Sequence, residues 1–230
     1  MTTLKRLSAL CVVFIIAVSI VIGQEMSVED SYLRESVEIL IIREQSRTGS
    51  REQKMAALRF IGDAINRGNT GGDIRSALEY LALEGIVNQT RENGKLINNF
   101  PDVRKQAITY LGDLGTAEAK NTLIKVLLAD PEPIVLQEAV KSLTKTGLND
   151  NEESVAAIAL LVSRFDVLNP DNLLALSAVD AFEKFAAANN GIRDPNVVRA
   201  LIRISEGRYF KPVQERAKQV LADLRKYGRQ

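Results

Sequence analysis

The chain has no histidine and no tryptophan, and its one cysteine, Cys11, lies close to the N-terminus. Without histidine there is no imidazole to move protons or to ligate zinc or haem iron. Without a cysteine beyond position 11 the body of the chain has no thiol nucleophile and no disulfide, even in an oxidising compartment. Aromatic residues make up only 5% of the chain. The core must therefore be filled by Ala, Leu, Ile and Val, which suits close helix packing better than a β-sandwich. Six prolines and fourteen glycines are too few for a fibrous or disordered chain. No Gly-rich phosphate loop or serine elbow follows the N-terminal segment, and no pair of carboxylates is fixed in an evident cleft. No cofactor, metal or catalytic residue is expected.

The one long apolar run is N-terminal. Lys5 and Arg6 precede an uncharged stretch from Leu7 to Ile22, and Gly23 is followed by polar Gln24 and Glu25. This is the layout of a secretory signal over residues 1–23, with a short linker over 24–30. The stretch falls just below the roughly 17–25 apolar residues that span a bilayer, which favours cleavage. An uncleaved segment would instead anchor the chain in the inner membrane. Cys11 sits inside the run rather than at its end, so it does not mark a lipoprotein. The expected location is the periplasm.

What remains is periodic. Val103, Ala107, Leu111 and Leu114 form the apolar stripe of an amphipathic helix. The frame returns as Val135/Ala139/Leu143, Leu174/Ala178/Phe182 and Val213/Ala217/Leu221, and Ala57/Ile61 with Gly62-Asp63 matches Ala107/Leu111 with Gly112-Asp113. The five alanines are spaced by 50, 32, 39 and 39 residues. Second helices are predicted between them at 72–87, 116–129, 152–167 and 195–206, with Asp73, Thr116 and Asp194 as caps and Pro195 at a first helical position. Asp130-Pro131-Glu132-Pro133 and Asn169-Pro170-Asp171 separate units. No stretch alternates with period two, so no strand is predicted. Asp150-Asn151-Glu152-Glu153 lacks the spaced ligands of a calcium loop and is taken as a helix start.

The segment from Pro101 to Gly115, Pro-x-Val-Arg-x-x-Ala-x-x-x-Leu-Gly-x-Leu-Gly, resembles the first helix of a bacterial HEAT repeat of the bilin-lyase type. The resemblance is close over 101–129, moderate over 131–168 and weaker over 50–88, 170–206 and 210–227. It implies an all-α, right-handed α-solenoid of about four to five helix pairs, in one domain over 31–230. A helix over 31–47, with Ser27 and Asp30 as a capping box, would cover the first unit, and the polar helix 212–227 the last. The resemblance also implies that Arg104 pairs with an acidic residue in a neighbouring turn, and that the surface binds proteins. Some HEAT-type proteins are bilin lyases or a metal hydroxylase; the hydroxylase needs His-Glu ligands, which this chain cannot supply.

Charge is uneven. Residues 191–230 carry ten Lys/Arg against four Asp/Glu, and residues 81–192 carry ten against fifteen. Arg193, Arg199, Arg203, Arg208, Lys211, Arg216 and Lys218 form a candidate partner surface, or else a solvated cap. The Asn-rich insertion 88–100, with Arg91, Lys95 and Asn98, is a second candidate, or else a tolerated loop. Nucleic acid is excluded as a partner, because the chain without residues 1–23 has 28 basic against 29 acidic residues. These features describe an exported, non-catalytic scaffold that binds other envelope proteins. A membrane-tethered protein, or one that binds anionic lipid or cell wall, is the alternative. The sequence sets no oligomeric state.

Overall fold

The computed structural model describes residues 28–168 and 170–227. The expected signal over 1–23 and the capping residue Ser27 lie outside them. The chain divides into two compact units, Met1–Leu40 and Ile41–Gln230, with the boundary inside the first described helix, α1 (Val28–Arg47). In the first unit Leu33, Val37 and Leu40 are exposed.

Among the described residues of the second unit nine further α-helices follow. They are α2 (Arg51–Asn66), α3 (Gly72–Leu83), α4 (Pro101–Leu114), α5 (Ala117–Ala129), α6 (Pro133–Thr146), α7 (Glu153–Leu168), α8 (Asn172–Ala188), α9 (Pro195–Glu206) and α10 (Lys211–Tyr227). They form two layers. In layer A, α2, α4, α6, α8 and α10 pack each on the next; in layer B, α3, α5, α7 and α9 do the same. This is the all-α solenoid that the periodicity implies: four helix pairs and a closing helix in this unit.

The alanine register sets the packing. Ala57, Ala107, Ala139, Ala178 and Ala217 are all fully buried in layer A. A methyl group at each contact lets neighbouring helices approach closely, and a larger side chain there would cost about 1–3 kcal/mol in overpacking. The same register sets where each helix starts. Ser50, Phe100, Glu132 and Asp171 are the N-cap residues of α2, α4, α6 and α8, each seven positions before its alanine. Thr116 and Asp194 cap α5 and α9 as expected, accepting from the Ala119 and Asn196 N–H groups. Gly115 ends α4 in the left-handed conformation (φ 62°), where a residue with a Cβ is strained.

Three expectations need correction. Asp73 does not cap α3. Gly71 stands at the cap, and Asp73 lies in the first turn, where its carboxylate takes Arg43 at 2.8 Å. Helix α3 stops at Leu83 rather than 87, because Glu84 turns extended (ψ 138°) to reach Lys54. The chain is also not strand-free: β1 (Arg91–Glu92) and β2 (Lys95–Leu96) pair antiparallel. Asn93 (φ 50°) and Gly94 (φ 78°) supply the two positive φ angles of a tight hairpin turn. Strands of two residues are too short to show alternation, but the Asn-Gly pair was the available signal.

Candidate functional site

A buried polar chain runs through the first two repeats. Lys54 and Arg104 each stand three positions before a registered alanine, and each reaches the residue that ends its own repeat's layer-B helix. Lys54 Nζ lies 2.7 Å from Glu84 Oε1, and Arg104 Nε lies 2.6 Å from Asp130 Oδ2. Lys54 also donates to the Ser46 carbonyl at 3.0 Å, and Arg104 to the Glu84 carbonyl at 3.3 Å and Asn99 Oδ1 at 2.8 Å. Arg164 of α7 donates to the Leu127, Leu128 and Asp130 carbonyls at the end of α5. A cation there also meets the negative end of the helix dipole. The partner implied for Arg104 is thus Asp130. Each opposite charge is matched inside the protein, which makes this chain a joint between repeats.

The insertion is built on that joint. Asn98 is buried, its side chain donating to the Asn88 carbonyl at 2.8 Å and to Glu84 Oε1 at 3.4 Å and accepting from the Thr90 N–H at 2.9 Å. Of the three residues named in the insertion, Asn98 holds its base. Arg91 is exposed and folds back on Gly94 and Gln89, and Lys95 is exposed on β2.

The basic residues of the last repeat divide into two groups. Arg216 bridges to Asp180 (3.4 Å) and to Glu183, so it ties α10 to α8. The Glu183 hydrogen bond raises its pKa further above the ordinary arginine range. Arg203 reaches Asp166 of α7 at 3.8 Å, and Lys218 pairs with Glu215 at 3.0 Å. Comparable pairs join other steps of the stack, such as Arg75–Glu118 and Lys120 with Asp150 and Glu153. Lys120 explains the acidic run 150–153, whose carboxylates hold an internal cation. Arg193, Arg199, Arg208 and Lys211 are exposed and form no ion pair among the described residues.

Other features were not visible in the sequence. Layer B exposes Leu128 on α5, Leu160 on α7, and Val198 and Ile202 on α9. Beside Ile202 on α9 stand the basic residues Arg199 and Arg203, and Lys125 is exposed on α5. Phe210, before α10, is 71% exposed, the most open of the large apolar side chains described. A polar cleft of about 680 Å³ lies among Asn149, Asn151, Glu152, Asn190, Arg193 and Tyr227. Its one carboxylate accepts from the Arg193 N–H at 2.7 Å. Among the described residues no group of His, Cys, Asp or Glu is placed to hold a metal ion, and no helix is long and apolar enough to cross a membrane.

No curated protein and no solved structure matches the chain. Residues 95–183, from β2 through most of α8, match the family model of HEAT repeats. HEAT repeats generally serve as scaffolds for protein–protein interaction. The match places HEAT repeats in the middle of the chain, within the two-layer stack of an all-α solenoid.

Proposed function

We propose that this protein is an exported, non-catalytic scaffold that binds other proteins of the cell envelope through the outward side of layer B. The observation that carries this reading is the exposure of Leu128, Leu160 and Ile202 on three successive helices. Apolar side chains presented in this way, with Lys125, Arg199 and Arg203 among them, suit a partner segment that has an apolar stripe and acidic flanks. Export rests on the N-terminal pattern of Lys5-Arg6 and the run to Ile22.

Affinity capture from the envelope fraction tests the reading, with the protein compared against a Leu160→Glu/Ile202→Glu variant. Both positions are exposed, so the variant keeps its fold. The reading expects a protein retained by the wild type and lost from the variant. Identical retention by the two would refute binding through this side. Intact mass of the native protein tests export: loss of residues 1–23 agrees with it, and a full-length mass points to an anchored chain.

A further inference from the structure

The polar cleft of about 680 Å³ is formed where two turns of the stack meet. One joins α6 to α7 through residues 147–152, and the other joins α8 to α9 through residues 189–194. Leu224 and Tyr227, at the end of α10, complete its lining.

Both turns are held by their own residues. Asn149 Oδ1 accepts from the Val155 N–H at 3.2 Å, and the Asn189 side chain donates to the Phe185 carbonyl at 2.8 Å. Glu152 Oε1, taking the Arg193 N–H at 2.7 Å, ties one turn to the other. A Cβ on Gly191 would meet the Tyr227 Cβ at 3.0 Å, so the glycine lets the second turn lie against that tyrosine. Among the described residues four non-glycine residues have positive φ, and three of them line this cleft: Asn151 (49°), Glu152 (61°) and Asn190 (54°). Asparagine tolerates that conformation, but glutamate rarely adopts it. Strained backbone gathered and fixed at one place points to a functional site.

The side chains left over define the chemistry. The amides of Asn151 and Asn190 and the guanidinium of Arg193 make no hydrogen bond or ion pair among the described residues. An amide both donates and accepts, a guanidinium only donates and a carboxylate only accepts. Together they match neighbouring hydroxyl groups, which also do both. Glu152 and Arg193 are the only charges in the lining and they cancel, so the cleft has no net charge to draw an ion. A phosphate or carboxylate would meet Glu152, and a cation would meet Arg193. Tyr227 and Leu224 offer an apolar wall for the C–H face of a sugar ring. The volume falls within the roughly 300–1,000 Å³ of small-ligand sites.

We propose that this cleft binds a short neutral saccharide. Its hydroxyls are shared among Asn151, Asn190, Glu152 and Arg193, and a ring face rests on Tyr227. The site is separate from the outward side of layer B, so either reading can fail alone.

An array of neutral oligosaccharides, followed by calorimetric titration of the retained sugar, tests this on the full natively produced chain. Asn151→Gly and Asn190→Gly keep the positive φ and remove only the amide. Each should weaken binding by about three- to tenfold, with helical signal and melting unchanged, and Tyr227→Ala should abolish it. In the unaltered protein the same sugar should shift the side-chain amide NMR signals of Asn151 and Asn190, a readout that needs no variant. An array with no retained sugar, binding indifferent to both glycine variants, or shifts confined to other residues would each overturn the proposal. So would a cleft that takes peptides and no saccharide.

Discussion

Arg104 and Asp130 meet in a bidentate pair, with Nε 2.6 Å from Oδ2 and Nη2 3.2 Å from Oδ1, and neither side chain has any exposed surface. The fork of a guanidinium matches a carboxylate as an ammonium cannot. Asp130 also accepts from the Glu132 N–H at 2.9 Å, so the same carboxylate shapes the turn into α6. The pair fixes how one repeat turns into the next.

Arg104→Met therefore leaves a buried carboxylate without its partner and should cost about 3–5 kcal/mol. A double variant, Arg104→Met/Asp130→Leu, should recover much of that loss, because a buried pair replaced by apolar groups is often close to neutral. Urea unfolding followed by circular dichroism measures both. A single variant less than 1 kcal/mol below wild type would contradict the role given to the pair.

The two interior glycines of layer A should respond differently to a methyl group. A Cβ on Gly112 would meet the Ser142 Cα at 2.9 Å and its Cβ at 2.7 Å, so the backbone of α6 would have to move. A Cβ on Gly62 would meet only the end of the Tyr110 side chain, which can swing away. The intrinsic gain from Gly to Ala in a helix is roughly 1 kcal/mol. Gly112→Ala should be destabilising despite that gain, and Gly62→Ala should be milder. Thermal melts of the two variants decide this; equal shifts would contradict the close approach of α4 and α6.

Much of this fold was legible in the sequence, because a stacked repeat must place the same small residue at the same contact each time. The alanine spacings of 50, 32, 39 and 39 therefore gave the layers and their order. The equivalence of Lys54 with Arg104 was hidden, since the two differ in residue type and share only their offset from an alanine. The role of Asn98 was hidden for a different reason. Composition marks an Asn-rich loop, but only the fold shows which amide turns inward to Glu84. Exposure of Phe210 was least legible of all, because Phe100 occupies the same frame position and packs inward. Of the basic residues named from the sequence, Arg203 and Arg216 have partners on other helices that local pattern does not reveal, whereas Lys218 pairs with Glu215 one turn away on its own helix.

The alkaline limb of stability should report on Tyr209. Burial raises its pKa, and the Asp166 and Asp171 carboxylates add to the effect by opposing a phenolate. A raised folded pKa means the contribution is fully present below the unfolded tyrosine value, near pH 10, and is lost as pH rises beyond it. Unfolding free energy should thus fall more steeply above pH 10 in the wild type than in Tyr209→Phe. Parallel curves for the two proteins would contradict a buried phenol.

The central claim is that the protein binds a partner through the outward side of layer B. In-cell crosslinking tests it directly, with a photoreactive residue placed at Leu160 of α7 or, for comparison, at exposed Lys141 of α6. The account predicts a discrete adduct with another envelope protein from position 160 and none from position 141. No adduct from 160, or the same adduct from both positions, would contradict it.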